Sequence, residues 1–506
     1  MKKPISFGSI RFEIVSSLDE TAARPRPDTP FVLCIMGDFT GRASRKSVEP
    51  LKGRRLIPVD RDVMDEVMEK MNVSVRLESA GTALDIAFSG LDDFHPDHLL
   101  NRIGVFRALK EVRKKLGDPR TFAAAEKVLR EFTGIEGERN APEMKPERPV
   151  PGGSSILDSM IGQAAARKDE PVEGKDFDEF VQAIVRPHLV AGEDPEQARL
   201  TAALDQSISG VMAELMHHPA FQALEAAWRG VQFLVSRVET DESLQIFLLD
   251  VSREELEADL FSQEDLSRTG LYALLAQGPR ESSGAMALSV VAGLFSFGHN
   301  DAALLGRMAK IAAAAGAPFL AQADPCLVGC ASLDGSPDPA TWRKFPDREA
   351  LEVWDELRHL EEAAYLGLAM PRFLLRIPFG RETDMAESFD FEEMEGLPIH
   401  GHYLWGNPAV ACSYLLARSF SLYGWDMAHD LAKDVDDLPM HVYQEHGSPA
   451  LKPCAEILLS EKAVEAILDA GIMPLATLKG TDTVRLVRFQ SLADPAASLA
   501  GRWNAG

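Results

Sequence analysis

Phe31-Val32-Leu33-Cys34-Ile35-Met36 is an unbroken apolar run that stops at Gly37-Asp38. A half-exposed strand alternates apolar and polar side chains, because successive residues point to opposite faces. A run without a polar member fits a strand covered on both faces, as in a sheet flanked by helices. The reading extends outward from there. Ile10 to Ser16 alternates Ile10, Phe12 and Ile14 against Arg11 and Glu13, as a strand does. Thr21 to Pro30 is a proline-rich connector. Pro58 to Met71 places Val63, Met64, Val67, Met68 and Met71 on one helical face. Val73 to Leu77 and Ala83 to Phe88 read as a hairpin around Gly81. His95-Pro96-Asp97 opens a long helix, with Pro96 in its first turn and Leu99, Ile103, Phe106, Leu109 and Leu116 as its apolar stripe.

Residues 134–153 change character. They are rich in Pro, Gly and charge and too poor in apolar residues to offset the entropy of ordering, so they read as a flexible linker. The chain thus divides into 1–133, the linker 134–153, and 154–506. In the last part, helix is expected at Ile156 to Ala166 and from Phe177 to about Val238, with a turn at His218-Pro219. Strands are expected at Gln245 to Val251, Ala287 to Phe297, Pro318 to Leu320, Leu374 to Ile377 and Thr483 to Phe489. Between them lie helices at Asp301 to Ala315, Asn407 to Tyr423 and Glu461 to Ala470. The alternation predicts an α/β (α+β) fold: mixed sheets with flanking helices, in two fused units.

Length and composition narrow the function. With 506 residues, 45% of them hydrophobic, a sizeable core is available without metals or disulfides. The formal charge of -25 argues against neutralising nucleic-acid phosphates or docking on an anionic membrane. Five cysteines supply no disulfide framework and fit a reducing compartment. The amino terminus is too polar for a signal peptide and no stretch has the apolar length of a membrane span, so the expected location is the cytoplasm.

Catalytic constellations are hard to find. The P-loop, Gly-x-Gly-x-x-Gly and Gly-x-Ser-x-Gly patterns are missing. Cys326 and Cys330 have no second pair at zinc spacing and read as small residues beside a strand. His400 and His402 would share one face of a strand and offer two imidazoles to a metal, without an obvious third ligand. His217-His218 reads as a helix end, and Asp38 as the cap of the Thr40-Gly41 turn rather than a catalytic carboxylate. Arg42, Arg45, Lys46, Lys52, Arg54 and Arg55 cluster in one loop, which reads as a solvated or partner-facing surface. No catalytic, cofactor or metal residue is assigned. The pattern favours a structural or assembly protein over an enzyme.

Two resemblances stand in order on either side of the linker. Residues 10–131 resemble the small subunit of the type VI secretion contractile sheath, the TssB family. The resemblance rests on Thr29 to Gly41 (TPFVLCIMGDFTG), Leu56 to Asp60 (LIPVD), Phe88 to Asp97 (FSGLDDFHPD) and the helix carrying Leu109 to Arg113. Residues 154–492 resemble the large sheath subunit, the TssC family. Here it rests on His217 to Gly230, Ala312 to Phe319, Tyr365 to Gly380, Tyr403 to Ala409, Lys452 to Glu456, Gly471 to Leu475 and Gln490-Ser491. The resemblance implies a fused small-plus-large sheath protein that assembles around a secreted tube. Its implied partners are other sheath subunits, tube and baseplate proteins and a sheath-recycling ATPase. Large subunits of the family continue beyond the Gln490-Ser491 position, so the resemblance also implies a C-terminally truncated large segment. That leaves a second reading open: a paralogue that caps, nucleates or regulates a sheath without contracting.

Overall fold

In a computed structural model of the chain, the described residues are 6–10, 25–79, 82–117, 120–121, 196–277, 287–336, 338–343 and 348–504. The expected linker 134–153, the strand from Arg11 to Ser16 and the helices before residue 196 lie outside them. The strands are β1 Phe31–Gly37, β2 Ile57–Pro58, β3 Ser74–Ser79, β4 Thr82–Ala87, β5 Leu244–Asp250, β6 Val290–Phe297, β7 Phe319–Ala323 and β8 Leu366–Met370. They continue with β9 Phe373–Leu374, β10 Trp405–Gly406, β11 Asp434–Val435, β12 His441–Glu445, β13 Ser448–Lys452, β14 Met473–Thr477 and β15 Val484–Leu486.

Nine of these strands form one sheet in the order β11-β15-β14-β8-β7-β6-β1-β5-β2. The run from β14 to β5 is parallel. The outer strands β2, β15 and β11 pair antiparallel. The fold is therefore α/β with a mixed sheet, as the alternation of elements predicts. Val32, Cys34 and Met36 enter a cluster with Leu305, Met308 and Ala309 of the helix Ala302–Ala315. Phe31 points to the opposite face and stacks on Phe420 of the helix Pro408–Tyr423, ring centroids 5.0 Å apart. Helices on both faces are why β1 carries no polar residue.

The chain forms two compact units. One contains Met1–Met71, Leu224–Ile377 and Ile399–Gly506; the other contains Asn72–Ala223 and Pro378–Pro398. Each unit therefore draws on both sides of residues 134–153. The first holds the large sheet. The second holds the β3–β4 hairpin, the helices Pro96–Arg102, Gly104–Gly117 and Glu196–Met216, and the segment from Pro378 to Pro398.

The strands β11 to β14 and the helices Arg253–Phe261, Gly270–Leu275 and Arg348–Arg358 have no counterpart in the sequence reading, and three further places differ from it. The helix expected from Pro58 begins at Met64, because Ile57–Pro58 pairs with β5 and the Asp60 carboxylate holds the amides of Asp62 and Val63 in a turn. The long helix from Pro96 is broken at Ile103, whose backbone is extended, just before Gly104. Glycine is a poor helix former, so the interruption falls where the helix is weakest. The strand expected at Leu374 to Ile377 is only the two-residue β9, Phe373–Leu374, and the buried strand β8, Leu366–Met370, precedes it without having been expected. Its Leu-Gly-Leu-Ala-Met sequence lacks the β-branched residues that mark strands.

Candidate functional site

The joint between the two segments inside the sheet is the most elaborately built place in the first unit. β1 belongs to the segment before residues 134–153, and both of its neighbours belong to the segment after them. All seven residues of β1 are in parallel register with β5, from Phe31 opposite Leu244 to Gly37 opposite Asp250. On the other side Leu33 to Met36 register with Val290 to Gly293 of β6. Phe31, Val32, Leu33, Ile35 and Met36 are fully buried. Removing those five side chains from water contributes on the order of 10 kcal/mol before the entropy of ordering is subtracted.

Polar contacts fix both ends of the strand. At its start, the Val32 amide donates to Ser289 Oγ at 3.0 Å and the Ser289 amide donates to the Val32 carbonyl at 2.8 Å. Trp425 Nε1 donates to the Thr29 carbonyl at 2.8 Å. At its end, Asp250 accepts from the Phe39 and Thr40 amides, Thr40 Oγ1 and Arg42 Nε, at 2.9, 3.1, 2.8 and 2.7 Å. Trp228 is fully buried, meets the Phe39 ring edge-on at 5.4 Å and donates its Nε1 hydrogen to the Phe39 carbonyl at 2.9 Å.

A second carboxylate secures the loop that follows β1. Glu255 sits in the first turn of the helix Arg253–Phe261, in a capping box with Ser252. Its oxygens accept from Arg54 Nη1 and Nη2 at 2.7 and 2.5 Å and from the Glu49 amide at 2.9 Å. Burial pushes the Glu255 carboxyl up, but the Arg54 guanidinium and the amides of Ser252 and Glu49 outweigh it and hold it below its usual range. Gly270 lies against the same loop: a Cβ there would come within 2.8 Å of Leu51 Cβ and 2.9 Å of the Lys52 amide nitrogen. Both carboxylates are occupied by donors from this chain, so the arrangement clamps the two segments together.

The second unit joins the segments by side chains. Phe88 and Phe94 stack at 4.1 Å, and Phe221 meets them edge-on at 5.8 and 5.5 Å. Arg113 pairs with Asp205 through Nε and, at 3.0 Å, through Nη2. The Asp97 carboxylate accepts from the Glu387 and Ser388 amides, each at 2.8 Å.

The residues singled out in the sequence fall into place around these joints. Asp38 accepts from the Arg42 and Ala43 amides at 2.6 and 2.8 Å, so it caps the turn after β1. Arg42 and Arg54 are turned inward to Asp250 and Glu255, so the basic loop is in part an internal clamp instead of a free surface; Lys46, Lys52 and Arg55 remain exposed. His218 Nδ1 accepts from the Ala220 amide at the start of the next helix. Cys326 and Cys330 are free thiols, with the Cys330 Sγ donating to the Ser332 carbonyl. His400 and His402 lie on a short 3-10 turn, not a strand, and His400 engages Glu456 and Lys452. Asp250 and Glu255 were not singled out. The available signal was Ser252-x-x-Glu255, a capping-box pattern directly after a strand.

Comparison with known proteins agrees with this two-part construction. Residues 198–493 match the family described as VipB: EvpB/VC_A0108, tail sheath N-terminal domain. Residues 9–132 match the one described as Type VI secretion system, VipA, VC_A0107 or Hcp2. The first match spans more than half of the chain, which belongs to the tail sheath family, with VipA-type and VipB-type segments joined in one polypeptide. The type VI secretion system sheath protein TssC1 of Pseudomonas aeruginosa is 35% identical over 305 residues, covering 59% of this chain and 61% of that protein. The sheath protein TssB1 of the same organism is 25% identical over 154 residues, covering 28% of this chain and 89% of that protein. The chain thus spans less than two thirds of the length of TssC1. Among the described residues, no helix is long and apolar enough to cross a membrane.

Proposed function

We propose that the chain is a structural component of a type VI secretion contractile sheath in the bacterial cytoplasm. One polypeptide supplies both subunit types in equal number, and the linkage keeps each segment at high effective concentration near the other. The observation that carries this reading is β1, a strand from the VipA-type segment set between two strands of the VipB-type segment. The partners proposed are further sheath subunits, the tube and baseplate proteins and a sheath-recycling ATPase. The role is assembly, and no residue is proposed to act in catalysis. Micrographs of the chain co-expressed with its tube protein and any separate sheath subunits test the reading. Regular tubules containing this chain are the expected result. Tubules that form without incorporating it, or a chain that stays dispersed with every partner, would overturn it.

A further inference from the structure

His400, Lys452 and Glu456 form a hydrogen-bonded series outside the joint between the segments. Lys452 Nζ donates to His400 Nδ1 at 3.3 Å, and His400 Nε2 lies 3.2 Å from Glu456 Oε1. Glu456 is buried and receives three hydrogen bonds from Arg372: the backbone amide at 2.8 Å, Nε at 2.9 Å and Nη2 at 2.5 Å. Burial pushes the Glu456 carboxyl up, but His400 and the Arg372 guanidinium outweigh it and hold it down at about 2. A carboxylate against Nε2 favours the imidazole tautomer with its proton there, which leaves the Nδ1 lone pair facing Lys452, with Asp334 Oδ1 3.7 Å from the same nitrogen.

The Lys452 side chain lies over aromatic rings, with Nζ 5.3 Å from the Tyr403 centroid and 5.5 Å from that of Trp405. Burial weakens its hold on a proton, against the opposing pull of Asp334 and Glu456. An amine partly withdrawn from water, a base in reach and a carboxylate behind that base are the groups that activate a nucleophile.

We propose that Lys452 is a covalent modification site that takes acyl groups from small activated acyl donors, with His400 as its proton acceptor. The Lys452 ammonium passes one proton to His400 Nδ1, and the neutral Nζ attacks the acyl carbonyl carbon. The C–N bond forms, and the C–O bond to the phosphate of an acyl phosphate breaks, the phosphate leaving with the electron pair. The second amine proton goes to the departing phosphate, and His400 returns its proton to water. The amide carries no charge, so acylation ends the attraction between Lys452 and the two rings.

The test uses the full chain and acetyl phosphate as donor, with acetylation at each lysine followed in time by peptide mass spectrometry. Lys70, whose side chain is 73% exposed, is the internal reference. Lys452 should be acetylated at least about fivefold faster than Lys70, since a positioned proton acceptor typically contributes about a hundredfold or more and Lys452 is only partly open to the donor. In His400→Gln that ratio should fall to about one or below, even if the β12–β13 hairpin loosens and exposes Lys452 further. Wild-type acetylation of Lys452 no faster than Lys70, a result that needs no variant to fold, would overturn the proposal. So would a rate unchanged in His400→Gln.

Discussion

The VipA-type and VipB-type segments meet in two different ways. In the first unit they share a backbone ladder: β1 is bonded on both edges, covered on both faces, and closed at its end by Asp250 and Glu255. In the second unit they meet through side chains: three phenylalanine rings, a half-exposed ion pair and two amides on Asp97. A central strand cannot be partly inserted without leaving buried amides and carbonyls unpaired, so the first joint is all-or-none. Aromatic contacts and surface pairs can be lost one at a time, so the second is graded. Of the two joints, only the one built on side chains can be lost in part.

The sharpest way to break this contrast is to disrupt the backbone of β1. Ile35→Pro removes an amide from the centre of the parallel run and should cost more than about 3 kcal/mol. Cooperative unfolding of the sheet, followed by circular dichroism in urea, should disappear. Phe94→Ala should instead lower the urea midpoint by an equivalent of about 3–5 kcal/mol while leaving a cooperative transition. Equal behaviour of the two variants would erase the distinction between the joints.

Removal of the buried carboxylate comes next. Glu255→Ala strands the Arg54 guanidinium and the Glu49 amide and should destabilise by about 3–5 kcal/mol. A loss under about 1 kcal/mol would show that the clamp adds nothing to the ladder.

Acid should act on Glu255 and, outside the joint, on Glu456 with a smaller and more gradual effect. Glu456 ionises at about 2 in the folded chain against 4.5 as its ordinary value, so it binds a proton more readily when unfolded. Its contribution to stability is complete above that ordinary value and is lost as pH falls through the folded one. Glu255 is shifted in the same direction. The urea midpoint should therefore fall steadily below about pH 4.5, and Glu456→Gln should flatten that decline. A midpoint that stays level down to about pH 2.5 would contradict the assignment.

The smallest effect belongs to the second unit's surface pair. Arg113→Ala removes a partner of Asp205 whose own side chain is 41% exposed, and should cost less than about 1 kcal/mol. A loss comparable to Glu255→Ala, measured in the same urea titration, would mean that the second joint is clamped as firmly as the first.

Local chemistry made much of this legible without coordinates. The apolar run from Phe31 to Met36 announced a strand covered on both faces, and it is one. Pro96 and Asn407-Pro408 announced helix starts where they occur, with Asn407 Oδ1 accepting from the Ala409 amide. The ordered blocks on either side of residues 134–153 pointed to the family. These features are readable because turns, caps and face patterns depend on residues a few positions apart. Which strands flank β1 was not readable: Leu33 pairs with Ile246 on one side and Val290 on the other, more than two hundred residues away. Nor was the use of Arg42 and Arg54, which look like surface charge in the sequence and become internal donors only when the ends of β1 and β5 bring Asp250 and Glu255 beside them. The sequence by itself determined the strand covered on both faces, several helix starts and the two-part order of the chain. Tertiary structure alone decided their pairing, because a strand buried on both faces is compatible with any parallel neighbour until packing and the carboxylates at its end select one.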